Sequence, residues 1–246
     1  MNHIASARRL VMSQVYALLG RPSTEVATFA RLISARLRAA EVISIPAVVA
    51  AEVSHRTHLG TQLSSHAAKE EAGSWLPSAL VAPLVQARLQ RAQQAGGVMV
   101  LSGFPRTRDQ LQMLQQAGVP SPHVLHLARA RDDAERHIAD RRICAACGEP
   151  MYPLPAVDGA PAGLHSHFVE TDCDADTPLR AAIDDAGALQ RRLDAYDTHT
   201  VPLLERLRVG GAASFHELAV GDSAEDTWAA IQAAIGLPPD APGNSQ

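Results

Sequence analysis

The four residues Val98–Leu101 are all apolar and run straight into Ser102-Gly103-Phe104-Pro105-Arg106-Thr107. A strand with one wet face alternates apolar and polar side chains; an unbroken apolar run belongs to a strand buried on both faces. Such a strand sits inside a parallel sheet, and a parallel sheet needs helical crossovers to cover it. The chain supplies both kinds of segment. Strand-like runs occur at Val15–Leu19, Glu41–Ile45, His123–Leu127 and Ser214–Leu218. Between them, apolar residues recur with helical spacing in Thr24–Ala40, Val48–Arg56, Gln62–Ala72, Leu80–Ala95, Thr107–Ala117, Arg131–Arg142, Ile183–Leu207 and Ala224–Ile235. Gly96-Gly97 and Gly118 stop two of these helices. The expected fold class is therefore α/β: a doubly wound, parallel five-stranded sheet flanked by helices.

Residues 143–179 break the pattern. They are rich in Pro, Gly, His, Asp and Cys, show no apolar periodicity, and read as an inserted subdomain. All three cysteines fall there, as Cys144-x-x-Cys147 and Cys173. An odd count with one C-x-x-C pair points to metal or thiol chemistry and away from a disulfide framework. Free thiols in a loop, or a Cys144–Cys147 redox pair, remain the alternatives. At the far end, Leu237–Gln246 is Pro-rich and polar and is expected to be a disordered tail.

The remaining constraints come from charge. The 246 residues carry a net charge of −4, which excludes a general polyanion binder, so no nucleic-acid partner is expected. The first 40 residues hold six arginines and one acid, Glu25. An Arg-rich start can mark a transit peptide, but the first strand and helix begin here, so it is read as part of the fold. There is no apolar run of the ~18 residues a membrane helix requires. No membrane association is expected, and a cytoplasmic monomer is the simplest reading. Lys69 is the sole lysine, so any chemistry needing an ammonium group has one candidate.

Leu101–Thr107 differs at one position from Leu-Asp-Gly-Phe-Pro-Arg-Thr, and the sequence is identified through it as resembling the adenylate kinases and related nucleoside monophosphate kinases. Other matches follow in order from about Val15 to Gly236: Ile43-Ser44, Leu59-Gly60, Gly73-Ser74-Trp75-Leu76-Pro77, Ala117-Gly118, Arg141-Arg142-Ile143-Cys144, Arg191-Arg192-Leu193, and Tyr196 with Thr200-Val201-Pro202-Leu203. The resemblance implies a core made of residues 1–44, 74–142 and 180–236, an acceptor-nucleotide-binding helical insertion at 45–73 and a lid at 143–179. It implies AMP and ATP as ligands, bound with Mg. Arg106 would contact the acceptor phosphate and Gln110 the adenine edge. Arg141 and Arg192 would stabilise the transferring phosphoryl group, and Gly20, Thr28 and Gly103 would help form the nucleotide site. The lid cysteines resemble those of zinc-bearing lids, with Cys144, Cys147, Cys173 and Asp176 as structural Zn ligands. His165 or His167 is the alternative fourth ligand.

The departures bear on function. The family's Gly-x-Pro-Gly-x-Gly-Lys-Gly-Thr loop cradles donor phosphates with backbone N–H groups and a lysine. Here it reads Gly20-Arg21-Pro22-Ser23-Thr24-Glu25-Val26-Ala27-Thr28. Val26 stands at the lysine position, and Ser23 and Glu25 stand at two glycines. Ser102 replaces an aspartate that helps hold the metal's hydration shell. Ile45–Ala50 lacks the threonine and arginine found on the acceptor side. Removal of a single preorganised donor typically costs roughly 3–4 kcal/mol of transition-state stabilisation. The expectation is thus a catalytically impaired kinase-like protein that retains partial nucleotide or phosphate binding, or a regulatory role. An active kinase would need Arg21 or another arginine in place of the lysine. A zinc-stapled scaffold for an unknown protein partner is the third possibility.

Overall fold

Strand β1 (Gln14–Gly20) is buried at every position from Val15 to Leu19, as the middle strand of a parallel sheet must be. The computed structural model describes residues 14–37, 40–69, 76–95, 97–139, 142–144, 150–153, 164–165, 179–181, 186–221 and 223–239. In chain order, β1 is followed by α1 (Val26–Arg36), β2 (Ala40–Ser44), α2 (Ile45–Ser54), α3 (His58–Lys69), α4 (Ser78–Ala95), β3 (Val98–Ser102), α5 (Arg108–Gln116), β4 (His123–Ala128) and α6 (Arg131–Ala139). Four short strands come next: β5 (Arg142–Cys144), β6 (Pro150–Pro153), β7 (Leu164–His165) and β8 (Leu179–Ala181). The chain then forms α7 (Ala186–Ala195), α8 (Val201–Arg206), β9 (Ser214–Ala219) and α9 (Ala224–Ile235).

The main sheet has the order β2-β3-β1-β4-β9, and every pairing is parallel. Alternate residues of β1 point to opposite sides. Val15, Ala17 and Leu19 join Met99, Leu101 and Phe104 in a core beneath α4, α5 and the segment from Tyr196 to Leu207. Tyr16 and Leu18 join Phe29, Ile33, Trp228 and Ile231 beneath α1 and α9. The apolar run that begins the heptapeptide therefore feeds both cores, which is why it does not alternate. β5 to β8 form a separate antiparallel sheet ordered β7-β6-β5-β8, where the sequence shows no periodicity. Among the described helices, none is long and apolar enough to cross a membrane.

Several boundaries differ from the sequence reading for local reasons. Ile45 belongs to α2, not to the strand before it, because Pro46 occupies the first helical turn, where its missing N–H is no loss. Helix α1 starts at Val26 instead of Thr24. The Thr24 amide (3.2 Å) and Oγ1 (2.8 Å) both donate to the Arg21 carbonyl, closing a turn ahead of the helix. The single helix expected over Ile183–Leu207 is interrupted by a π-helical turn at Tyr196–Thr200. Pro202 lacks the N–H that would continue the ladder to residue 198, so the backbone widens there. Gly60 lets α3 lie against α2, since a Cβ there would stand 2.1 Å from the Glu52 carbonyl oxygen.

Candidate functional site

The carboxyl ends of β1 and β3 open into a cavity of about 490 Å³. Its floor is the loop joining β1 to α1, from Gly20 to Ala27. Gly20 must be glycine, because a Cβ would sit 2.2 Å from Thr24 Oγ1. Ser23 and Glu25 both adopt left-handed backbone conformations, with φ of 84° and 49°. These are the positions where the resemblance calls for glycine, so the loop keeps a glycine-type path with side chains on it. The Ser23 hydroxyl is buried without a hydrogen-bond partner. Thr28 is buried in the first turn of α1 and is not among the described residues lining the cavity.

The opposite wall carries Gly103, Phe104, Arg106 and Gln110. Gly103 has φ 63°, and its amide donates to the Leu18 carbonyl at 2.9 Å, tying the turn to β1. A Cβ on Gly103 would meet the Arg106 guanidinium at 2.7 Å. The Arg106 Nε donates to the Gly103 carbonyl at 2.6 Å, and its backbone N–H donates to Gln110 Oε1 at 2.7 Å. Thr107 caps α5 by accepting from the Gln110 amide. Thr200 Oγ1 donates to the Arg106 carbonyl at 3.1 Å, anchoring the turn from the far side. Crowding by protein atoms, then the charge of Arg192, lowers the pKa of Arg106, which still holds its proton at neutral pH. Arg192 lines the same cavity, so two of the expected phosphate-binding arginines converge on it. Ile45, Pro46, Val49, Leu76 and Val81 complete an apolar side wall.

Arg21 is the cation that the donor loop itself contributes. It is not directed at open cavity. One guanidinium nitrogen pairs with Asp197 Oδ1, and another donates to the Arg129 carbonyl at 3.0 Å. Its Cζ lies 4.9 Å from the centroid of the Tyr196 ring. Asp197 is held from behind by Arg131, whose Nη1 reaches Oδ2 at 2.8 Å. Arg131 also bonds Asp194 and Gln190, both at 2.7 Å, and its bonds to the carboxylates of Asp194 and Asp197 raise its pKa. Tyr196 lines the cavity and shares its hydroxyl with His126 Nε2 at 3.0 Å. Burial raises the Tyr196 pKa and lowers that of His126, although Glu217 on the imidazole's other nitrogen partly opposes the latter.

The structure thus brings Gly20, Gly103, Arg106, Gln110 and Arg192 to one cavity. Ser102 is buried at the end of β3, level with Leu18 and Ser44 in the neighbouring strands. Lys69 is placed only as helix backbone, in α3. Arg141, Cys147, Cys173, Asp176 and His167 lie outside the described residues. Cys144 and His165 are placed only as strand backbone. Among the described residues, no cluster of His, Cys, Asp or Glu could hold a metal ion. Sequence reasoning did not find Asp197, Arg131 or His126. The one signal was position: Asp197 follows Tyr196 inside a motif-like run.

No family model matches the chain. Among characterised proteins, it is 30% identical to the adenylate kinase of Syntrophotalea carbinolica over 202 residues, which is 79% of this chain and 86% of that protein. It is 29% identical to the adenylate kinase of Geobacter sulfurreducens over 192 residues, covering 75% of this chain and 82% of that protein. The adenylate kinase of Geotalea uraniireducens is 27% identical over 194 residues.

Proposed function

The chain belongs to the adenylate kinase family, and from that premise we propose that its cleft binds AMP and Mg-ATP but transfers phosphate far more slowly than its relatives. The observation that carries this reading is the asymmetry of the cavity. Arg106 and Arg192 converge on one side, while Val26, Glu25 and a tethered Arg21 occupy the other.

On the acceptor side, paired guanidinium groups suit a phosphate, since each offers planar bidentate donors. Gln110 has its carbonyl engaged by the Arg106 backbone, so it offers the cavity its amide N–H groups. A base would lie against Ile45, Val49 and Phe104. On the donor side, the first amides of α1 remain a favourable anion environment. However, the charge that would neutralise a transferring phosphoryl is missing at Val26. Magnesium is poorly provided for: Glu25 is the one carboxylate among the described lining residues, and Ser102 stands in place of the metal-anchoring aspartate. Any Mg would arrive with the nucleotide and gain no anchored carboxylate from β3. Held by Asp197, the Arg129 carbonyl and the Tyr196 ring, Arg21 does not face a donor phosphate as a substitute lysine would unless those contacts are exchanged. For the lid we propose a structural Zn held by Cys144, Cys147, Cys173 and Asp176, or by His165 or His167 in place of Asp176.

The test is calorimetry with AMP and Mg-ATP beside a coupled assay, run in parallel on the Syntrophotalea carbinolica adenylate kinase. Saturable binding is expected, with turnover at least ~100-fold below that relative, the loss typical of one missing preorganised donor. Equal turnover would overturn the impaired reading. Absence of any nucleotide binding would favour the scaffold role.

A further inference from the structure

We propose that Asp197 is a latch that withholds the donor loop's only cation, Arg21, and that a bound polyphosphate competes with Asp197 for it. The inference rests on the cleft being a phosphate site, and it assigns a role to residues outside the shared motifs.

Arg21 is built into the loop that floors the cavity, one residue past Gly20, and it lines the cavity wall. Its guanidinium is nevertheless drawn sideways, to the Asp197 carboxylate and the Arg129 carbonyl, and across the Tyr196 ring. This arrangement leaves loose ends. The Arg21 Nε is buried with no hydrogen-bond partner, and so is the nearby Ser23 Oγ. Two buried donors left unsatisfied in one loop is an uncomfortable resting state, since each such group loses water and gains nothing. Both line the same cavity. An anion with several acceptor oxygens placed there would offer the Arg21 guanidinium the acceptors that its present position lacks.

Asp197 has the properties of a latch. Its side chain is about one-third exposed, so the pair with Arg21 is partly screened and can be exchanged. It does not move with Arg21, because Arg131 grips its other oxygen and is itself fixed by Asp194, Glu135 and Gln190. Once Arg21 leaves, Asp197 keeps a cationic partner. The exchange therefore strands no carboxylate, while it supplies the phosphates with the fork-shaped donor that Val26 cannot provide.

The test compares the full-length protein with Asp197→Asn and with the double variant Asp197→Asn/Arg21→Ala, using inorganic pyrophosphate and Mg-ATP as separate calorimetric probes. Asp197→Asn is expected to bind pyrophosphate about fivefold or more tightly than the natural protein, and the double variant to lose that gain. Unchanged affinity in Asp197→Asn, or a gain that persists without Arg21, overturns the latch. Tightening of pyrophosphate without any binding of Mg-ATP leaves the latch standing and removes the nucleotide reading instead. No binding of either probe by any form overturns both. Should Asp197→Asn fail to fold, a crystal structure of the natural protein soaked in pyrophosphate decides: Arg21 on the anion supports the latch, and Arg21 still on Asp197 refutes it.

Discussion

Replacing Ser23 by a smaller residue should stabilise this protein, although Ser23 is buried. Two unfavourable features meet at the position. Its φ of 84° is a conformation that L side chains resist, at about 1–2 kcal/mol. Its hydroxyl is buried without a partner, and an unsatisfied buried donor costs about 1–3 kcal/mol. Against these stand the greater freedom of glycine in the unfolded chain, about 0.5–1 kcal/mol, and the loss of one packed carbon, about 0.8 kcal/mol. At the midpoints of these ranges Ser23→Gly should gain about 2 kcal/mol, which for a chain of this size is a Tm higher by about 4–8 °C. Ser23→Ala removes the hydroxyl but leaves a Cβ at the strained φ, so its rise reports the hydroxyl alone. Differential scanning calorimetry of both variants at one pH is the assay. A lower Tm for the alanine variant would mean that Ser23 Oγ has a stabilising partner, and the argument would fail. A rise for alanine with a fall for glycine would mean that the left-handed backbone is less strained than its φ implies.

Arg106→Ala removes the guanidinium held by the Gly103 carbonyl and should weaken AMP binding about 10- to 100-fold, the range for a hydrogen bond to a charged group; calorimetry reads it directly. His126 is kept neutral by burial, so its folded pKa lies below its unfolded value of about 6.5. Its stabilising contribution is complete above that pH and is lost as the pH falls through the folded pKa. Tm should thus decline on acidification below about pH 6.5, less steeply in His126→Gln. Elemental analysis should find zinc in the purified protein, and a strong chelator or Cys173→Ser should remove it and lower Tm; a metal-free protein of unchanged Tm would refute the zinc lid.

The fold was legible because its evidence is local. Val98–Leu101 reads as a doubly buried strand, and the heptapeptide that follows has few structural contexts. Convergence of Arg106, Gln110 and Arg192 was also legible, since each lies in a stretch with family-like neighbours. The latch was not. Arg21 and Asp197 are 176 positions apart, and nothing in either neighbourhood announces the other. The interruption at Tyr196–Thr200 was missed for a different reason: Leu193, Tyr196, Thr200 and Leu203 keep a nearly helical spacing of buried positions, so periodicity hides the wider turn that Pro202 imposes. The left-handed Ser23 and Glu25 were missed because a serine and a glutamate do not declare such a backbone. Both nonetheless keep the left-handed backbone that a glycine would favour at those positions.

That retention separates shape from chemistry in the donor loop. Its path is fixed from outside, by β1 and α1 packing on the same core, by the Thr24–Arg21 turn, and by the tight approach at Gly20. None of these needs a lysine or the missing glycines. If the path survives and only charge and bulk have changed, restoring those should restore function without refolding the site. Val26 is partly buried at the cavity edge, where a lysine could lay its methylene stem along the apolar surface Val26 now covers and bring its ammonium to the cavity. Glu25→Gly removes the negative charge beside it and suits the φ of 49°. Val26→Lys with Glu25→Gly should then raise the coupled-assay rate by ~100-fold or more, the contribution of one preorganised transition-state donor. Tighter Mg-ATP binding with no gain in rate would show that the defect lies elsewhere, with Ser102 the first suspect because it takes the place of the metal-anchoring carboxylate. No change in either quantity would mean that the loop's path, despite its backbone angles, no longer presents its amides to phosphate.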